Sequence, residues 1–287
     1  MIPSLRWKQI LPRGRGDKLS VLVAVTELLV EGFFELLVIL PRKYPEATMY
    51  YWLSVALGLF LFINTLGNLL MAMSTELSTS SSLLPTVLRP GWDYCYSCQR
   101  NTPPRAYHCG HCGICVLKRD HHCLFIGSCV GYANHRYYLV CIMYITLGAL
   151  YANYLNMEYI VENVSENLKW TTLLASFTPI FGWLFGLTQP VSYFIAFQSG
   201  TCALGFLGFV ILFGYHVYIA LRGQTTHEKR RSRDRSYDLG WRQNMREVLG
   251  TRWYLVWIFP LIRSPLPGDG IHFLNRGALG LEDVKDL

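Results

Sequence analysis

Long apolar blocks separated by polar stretches dominate this chain. Two apolar runs, at 19–40 and 48–73, flank a short turn at 41–45 that begins and ends with proline. Two more apolar runs lie at 137–159 and 192–221. Because about 20 consecutive apolar residues form a helix that spans the hydrocarbon core of a bilayer, this pattern predicts four transmembrane helices.

A fifth apolar run, at 170–190, is interrupted by Pro179. If it crossed the membrane, the basic residues between Arg222 and Arg252 would lie on the opposite side from the residues that join the second and third runs. We therefore predict that 170–190 lies on, or dips into, the luminal face of the membrane. The later run at 253–259 is too short to span, so we expect it at the interface or docked on the helices.

The charge distribution fits this topology. The 287 residues are 52% hydrophobic, which is more than an ordinary soluble domain contains, and carry a formal net charge of +7. Basic residues cluster at 6–18 and at 229–235. Nucleic-acid binding is an alternative explanation for such clusters, but both flank apolar runs. The positive-inside rule therefore predicts cytosolic termini and a lipid bilayer, with no nucleic acid, as partner.

The stretch 92–136, between the second and third runs, holds seven of the nine cysteines. Its spacing is C-x2-C-x9-H-C-x2-C-x2-C-x4-D-H-H-C-x5-C. Two tetrahedral zinc ions need eight ligands, and short-spaced thiolates and imidazoles supply them. In a cytosolic segment this pattern favours metal over disulfides. Eight candidate ligands are present: Cys95, Cys98, His108, Cys109, Cys112, Cys115, His122 and Cys129.

Three neighbouring residues then remain without a metal to bind: Asp120, His121 and Cys123. An imidazole can take the proton of a thiol, and a carboxylate can orient the imidazole. A thiol, an imidazole and a carboxylate side by side are therefore typical of an activated nucleophile in acyl transfer. The pattern predicts Cys123 as nucleophile, His121 as base and Asp120 as the group that orients it.

These residues resemble the DHHC protein S-acyltransferase (palmitoyltransferase) family, whose signature matches Asp120-His121-His122-Cys123. Residues 225–228 (TTHE) resemble the family's TTxE motif, and 244–250 (NMREVLG) resemble its N-x3-V-x-G element. The resemblance implies an all-α membrane protein: a four-transmembrane-helix bundle with a small cytosolic two-zinc Cys-rich domain between helices 2 and 3.

On this basis the chain divides into five parts, and we expect an integral multi-pass protein of the endomembrane system (ER or Golgi). The parts are a cytosolic N-terminus (1–18), transmembrane helices 1 and 2 (19–73), a linker with the DHHC zinc domain (74–136), transmembrane helices 3 and 4 with the luminal apolar segment 170–190 (137–221), and a cytosolic C-terminal region that holds both motifs (222–287).

The resemblance also implies an activity and its cofactors. A fatty acyl (palmitoyl) group moves from acyl-CoA to Cys123 and then to protein substrates with membrane-proximal cysteines. Two structural zinc ions support the site, since four protein ligands leave no open position. By resemblance, one ion is held by Cys95, Cys98, His108 and Cys115, and the other by Cys109, Cys112, His122 and Cys129.

Further residues have expected supporting roles. Thr226 is expected to reach Asp120 and to tie the fourth span to the site, and Asn244 to dock the C-terminal segment through backbone hydrogen bonds. Basic side chains near the zinc domain are candidates for binding the phosphates of palmitoyl-CoA. They include Lys118, Arg119 and Arg136, together with Arg89 and Arg105.

Two other classes of protein fit parts of the pattern. The family continues its signature with Pro-Trp and later Asn-Asn, and this chain differs there, which keeps open a catalytically weak DHHC-type membrane zinc adaptor. The four differing residues are Leu124, Phe125, Gly127 and Ser128. An enzyme must carry a thioester on Cys123, whereas an adaptor need not.

A transporter is the third class. Glu27, Glu31 and Glu35 recur every four residues on one face of the first run, and charges at membrane depth usually face a bundle interior. We interpret them as a hydrogen-bonded polar seam between spans one and two, in preference to a proton or ligand path. A transporter would keep its activity without Cys123.

Overall fold

The computed structural model describes residues 12, 14–77, 84–166, 190–231 and 235–277. The predicted luminal segment 170–190 lies outside the described residues except for Pro190. Helices form most of the described chain. In order they are α1 (Arg15–Phe34), a π-helical turn (Glu35–Ile39), α2 (Leu40–Lys43), α3 (Met49–Ser74), α4 (His135–Glu166), α5 (Pro190–Leu221), α6 (Thr226–Arg231) and α7 (Trp241–Leu249).

Three of these helices contain stretches long and apolar enough to cross a membrane: Met49–Ser74, His135–Glu158 and Phe197–Leu221. Length and composition therefore give three candidate spans, and the chain is a helical membrane protein. The first predicted span, which α1 and the π-helical turn occupy, is not among them. It carries three glutamates within nine residues, and these lower its hydropathy. Four crossings remain a prediction.

Six short strands follow α3, and they form three separate two-stranded antiparallel hairpins. They are β1 (Asp93–Cys95), β2 (Arg100–Thr102), β3 (Tyr107–Cys109), β4 (Ile114–Val116), β5 (His121–Cys123) and β6 (Ser128–Val130). The expected all-α class is therefore correct for the membrane part only. The apolar cluster of this stranded region is small, and its fully buried members are Cys109, Val116 and Cys129.

The chain divides into two compact units, each discontinuous in sequence. One comprises Met1–Ala24, Leu66–Cys141 and Gly214–Leu287, and the other comprises Val25–Thr65 and Ile142–Phe213. The first contains the three hairpins and the C-terminal motifs. Helix α7 lies between Gly240 and Gly250, whose φ angles of 89° and 86° favour glycine. Its buried face contains Asn244, Met245, Val248 and Leu249.

The second unit contains the glutamates of the first apolar run. The amide of Gln198 donates to Glu27 Oε1 (2.9 Å) and Glu31 Oε2 (2.5 Å). The amide of Asn156 donates to Glu35 Oε1 at 2.6 Å. The polar seam therefore forms, but these bonds join the glutamates to α4 and α5, whereas we expected a partner in the second span. Amides at these positions can donate to the carboxylates across the helix interface.

The short apolar run at 253–259 belongs to the first unit and does not form a long helix. Val256 is buried, whereas Tyr254, Ile258 and Phe259 are exposed. Pro260, directly after the run, approaches α3 so closely that a Cβ on Gly67 would lie 2.7 Å from its Cγ. The run is thus docked at α3 through its end and keeps apolar side chains on the surface.

Candidate active site and metal centres

The three hairpins repeat with a period of 14 residues. The last residues of their four-residue turns, Gln99, Gly113 and Gly127, all have positive φ angles, of 50°, 65° and 63°. The first two hairpins carry Cys-x2-Cys at the turn, whereas the third begins with Cys123 and has Ile126 at the fourth position. Cys123 therefore occupies the position of a knuckle cysteine whose partner is missing. This repeat is visible in the sequence, because Cys95, Cys109 and Cys123 follow one another at intervals of 14 residues.

The first predicted metal set is assembled in the structure. One ligand atom from each of Cys95, Cys98, His108 and Cys115 lies within 4.8 Å of the others. His108 Nδ1 lies 3.3 Å from Cys98 Sγ and 4.0 Å from Cys115 Sγ. Ligands about 2.0–2.3 Å from a tetrahedral zinc ion are separated by roughly 3.5–3.8 Å, so these residues fit the ion.

The second predicted set comes together in the same way, from Cys109, Cys112, His122 and Cys129. His122 Nδ1 lies 3.3, 3.7 and 3.9 Å from the thiols of Cys112, Cys109 and Cys129. In the hairpin register, His108 faces Cys115 and His122 faces Cys129. Because β3 carries His108 for one set and Cys109 for the other, the two centres share a strand and hold each other in place.

Asp120 and His121 lie at the start of the third hairpin. Asp120 is 1% exposed, and its Oδ2 lies 2.6 Å from Nδ1 of His121. The backbone N–H of Thr226 donates to the other carboxylate oxygen at 2.8 Å. The expected approach of Thr226 to Asp120 is therefore present, through its backbone. Because β5 runs through His121, His122 and Cys123, His121 and Cys123 lie on the same face of the strand.

Hydrogen bonding at this site outweighs the cost of burial. Burial alone would raise the pKa of Asp120, but the hydrogen bond with His121 holds it below its usual range. Burial would lower the pKa of His121, yet the interactions with Asp120 and with the Cys123 thiol raise it to about 9. The raised pKa means that His121 holds a proton readily, and the thiol of Cys123 is one of the groups that favour this charged form of the ring.

Two further histidines, which the sequence analysis missed, lie beside Asp120. His216 Nδ1 is 3.8 Å from Asp120 Oδ2, and His216 Nε2 is 3.1 Å from the hydroxyl of Tyr138. Ligand atoms of Asp120, His135 and His216 lie within 4.8 Å of one another. Tyr138 also packs edge-on against His121, with ring centroids 5.0 Å apart. A histidine within an apolar run, as at 216, is the sequence signal that could have found this group.

The TTxE motif binds a residue that we expected to contact CoA. Arg105 donates from Nε and Nη2 to Glu228 at 2.6 and 2.7 Å, and from Nη2 to the carbonyl of Gly223 at 2.7 Å. Its guanidinium lies 4.2 Å from the ring centre of Tyr237. Thr225 and Glu228 exchange backbone and side-chain hydrogen bonds at the start of α6. The acidic residue of the motif thus holds Arg105.

The other candidate CoA contacts differ in their surroundings. Lys118 is 4% exposed and its ammonium donates to the carbonyl of Glu247 at 3.4 Å. Arg119 and Arg136 are half-buried. Arg119 contacts His227 at 3.2 Å, while Arg136 donates to the carbonyl of Ser264 at 3.2 Å. The two arginines therefore keep part of their surface open to solvent, whereas Lys118 does not.

Asn244 has the docking role that we expected. Its amide donates to the carbonyl of Leu221 at 2.8 Å, and its oxygen accepts from the N–H of Leu239 at 3.0 Å. The end of α5 is thereby tied to α7.

The loop that differs from the family pattern directly follows Cys123. It contains Leu124 and Phe125, whose exposed fractions are 48% and 62%. Two exposed apolar side chains thus follow Cys123 directly in the sequence.

Comparison with known proteins agrees with the geometry. The family model described as DHHC palmitoyltransferase matches residues 89–233. The chain therefore belongs to the DHHC palmitoyltransferase family and is a protein S-palmitoyltransferase.

Individual relatives support this assignment. The chain is 38% identical to the probable palmitoyltransferase ZDHHC24 of Danio rerio, over 90% of this chain and 89% of that protein. It is also 38% identical to the human protein of the same name, over 85% of this chain and 86% of that protein. Human palmitoyltransferase ZDHHC15 is 31% identical over 67% of this chain and 54% of its own length. Three stretches of the sequence resemble the family member numbered twenty-four: RGQTT, SYDLG and SPLPGDG. The identities to the ZDHHC24 proteins confirm this resemblance.

Proposed function

We propose that palmitoyl transfer by this protein proceeds through a thioester on Cys123, with His121 as base and Asp120 as the group that orients it. The observation that carries the proposal is the line of contacts from Thr226 through Asp120 and His121 to Cys123. Each member is held by a hydrogen bond or by the strand β5.

In the first step, His121 takes the proton of the Cys123 thiol, and the thiolate attacks the carbonyl carbon of the fatty acyl-CoA thioester. The bond between that carbon and the CoA sulfur breaks, and the CoA sulfur leaves with the proton from His121. Asp120 stabilises the imidazolium that exists between these two proton transfers. The products are the acyl-enzyme and free CoA.

In the second step, His121 takes a proton from the cysteine of a protein substrate. The resulting thiolate attacks the acyl carbon on Cys123, and Cys123 leaves as a thiol after recovering the proton. Each step replaces one thioester with another, so the two-step reaction needs no separate energy source. Since the exposed apolar residues Leu124 and Phe125 follow Cys123 directly in the sequence, we expect substrate cysteines to approach from the membrane surface.

Two structural zinc ions are the proposed cofactors, each held by three thiolates and one imidazole in the sets described above. The fit of the ligand spacing to a tetrahedron supports zinc, and four protein ligands give it no open position for substrate. When bound, the metal supplies folding free energy to a domain with little apolar core. Its effect on catalysis is to hold the strand that carries His121 and Cys123.

For the CoA phosphates, Arg119 and Arg136 are the favoured contacts, because both keep exposed surface. Lys118 remains a candidate contact, but its ammonium would have to leave the carbonyl of Glu247 before it could bind a phosphate.

We further propose four membrane crossings, with both termini and the zinc domain on the cytosolic side of an ER or Golgi membrane. The basic segments at 6–18 and 229–235 support this orientation.

The catalytic proposal is tested by measuring CoA release from palmitoyl-CoA before any protein substrate is added. Wild type should release about one equivalent of CoA rapidly, because the acyl group accumulates on one thiol. Cys123→Ala should remove this burst, and Cys141→Ala, which changes another buried thiol, should retain it. A burst of normal size in Cys123→Ala would exclude Cys123 as the acylated residue.

A further inference from the structure

Asp17 lies in the first turn of α1 and is 5% exposed, although Arg15, Gly16 and Lys18 beside it are exposed. A carboxylate in this position normally faces solvent, so its burial needs a partner. The partner is His122, whose Nε2 lies 3.3 Å from Asp17 Oδ1. The side chains of the two residues are 6% and 7% exposed.

The orientation of the His122 ring defines the role of this contact. Nδ1 faces the thiols of Cys109, Cys112 and Cys129, and Nε2 faces Asp17. When Nδ1 binds a metal ion, the proton of the neutral ring is on Nε2, and this N–H donates to the carboxylate. Such a carboxylate fixes the tautomer and the orientation of a metal-binding histidine.

A second, independent contact joins the described residues around Asp17 (12 and 14–21, here the N-terminal segment) to the same hairpin. A Cβ on Gly127 would lie 2.2 Å from Cγ of Pro12 and 3.1 Å from Cγ2 of Val21. The absence of a side chain at Gly127 therefore makes room for the N-terminal segment. Gly127 lies in the loop between β5 and β6, so the segment contacts this hairpin on both sides of Cys123.

Strand geometry links these contacts to the nucleophile. Successive side chains of a strand point to opposite faces, so His122 lies on one face of β5, and His121 and Cys123 lie on the other. A displacement of β5 at His122 would therefore move the backbone that also carries His121 and Cys123.

We propose that Asp17 is a positioning residue: it holds His122 in the orientation that binds the second metal ion and thereby aligns His121 and Cys123. The N-terminal segment is thus part of the active-site support. This inference rests on the proposed function for the alignment of Cys123. Its claim about metal retention depends only on the contact between Asp17 and His122.

The test measures zinc release to a chromogenic chelator from purified, detergent-solubilised full-length protein. Asp17→Ala should release one of the two zinc ions about 10–100-fold faster than wild type and leave the other unchanged. Asp17→Asn keeps an acceptor oxygen for the His122 N–H, so its release rate should fall between the two. Lys18→Ala changes an exposed charge on the same turn and should behave like wild type.

The same release experiment in a Cys123→Ala background separates this inference from the proposed function. An Asp17 effect that persists there supports the positioning role even if Cys123 proved not to carry the acyl group. Acylation by palmitoyl-CoA should slow in Asp17→Ala and partly recover in Asp17→Asn. The inference would be overturned if Asp17→Ala released both ions at the wild-type rate. It would also be overturned if Asp17→Asn released both ions equally faster than wild type.

Discussion

Arg105 and Glu228 are 123 residues apart in the sequence, yet they form two hydrogen bonds of 2.6 and 2.7 Å. Their side chains are 4% and 13% exposed. The pair joins the zinc domain to α6, whose first N–H binds Asp120. The TTxE motif therefore contacts the zinc domain twice: Glu228 binds Arg105, and the N–H of Thr226 binds Asp120.

Loss of this pair should destabilise the protein. Arg105→Ala leaves the carboxylate of Glu228 buried without its partner, which typically costs about 3–5 kcal/mol of unfolding free energy. Thermal unfolding in detergent measures the effect. Lys43→Ala is the matched control, because its ion pair with Glu158 is 3.5 Å long and the glutamate is 63% exposed. Such a pair contributes about 0–1 kcal/mol. Equal losses in both variants would contradict the structural role of Arg105.

Asp120→Asn should impair catalysis with little change in fold. An asparagine at this position can present its amide N–H to His121 and favour the wrong ring tautomer. A comparable exchange in a serine-protease triad lowers kcat by about 10⁴-fold. We expect a loss of acyl-enzyme formation on that scale, with zinc content unchanged. Asp93→Asn, an exposed aspartate of the same domain, should keep normal rates. Normal acylation in Asp120→Asn would exclude its orienting role.

The local part of the site was predictable because metal ligands recur at short spacings. The two metal sets and the Asp120-His121-Cys123 group all lie within 35 residues, and their chemistry follows from residue type and order. The contacts of His216 and Arg105 were not predictable in this way. They depend on how α5 and α6 return to the zinc domain, and no sequence pattern records that approach. The burial of Lys118 was not predictable for the same reason, since a basic residue next to the signature also fits a surface position.

In the fold, too, local features were predictable from the sequence and contacts between distant elements were not. Hydropathy located three helices, because span length and composition are local properties. The partners of the glutamates in the first apolar run were wrong, because amides on α4 and α5 supply hydrogen bonds that helical periodicity alone does not predict. The hairpins were also outside the expected all-α class, since their three-residue strands are formed around metal ligands rather than by alternating apolar residues.

Lys118 should make stability depend on pH. Burial, with a smaller effect from Arg105, lowers the pKa of Lys118 from 10.5 to about 7. Between these values the unfolded state binds more protons, so the free energy of unfolding rises with pH. The cost of a buried ammonium is complete below pH 7 and disappears toward pH 10.5.

Lys118→Met removes this ionisation and keeps the length of the side chain. The variant should be more stable than wild type at neutral and lower pH, and the difference should shrink as the pH rises. Unfolding midpoints of zinc-loaded protein from pH 6 to 9 measure it. Lys18→Met serves as a control at an exposed position. A stability difference that does not change with pH would contradict the prediction.

Gly127 should tolerate alanine less well than Gly91. Both have positive φ angles, 63° and 76°, so alanine costs about 1–2 kcal/mol of backbone strain at either position. Only Gly127 has Pro12 in the space of a Cβ, whereas nothing lies within 4 Å at Gly91. Overpacking should cost Gly127→Ala about 1–3 kcal/mol more. Equal unfolding free energies would show that the N-terminal segment does not rest on this loop.

If the acyl group is carried on Cys123, peptide mapping of the acyl-enzyme by mass spectrometry should locate it on that residue. Purified zinc-loaded protein is treated with palmitoyl-CoA, divided into samples with and without neutral hydroxylamine, and digested. We expect a palmitoyl group on the peptide that contains Cys123, removed by hydroxylamine and absent from Cys123→Ala. A hydroxylamine-sensitive palmitoyl group found on another cysteine, or an unmodified Cys123 in protein that transfers palmitate, would contradict it.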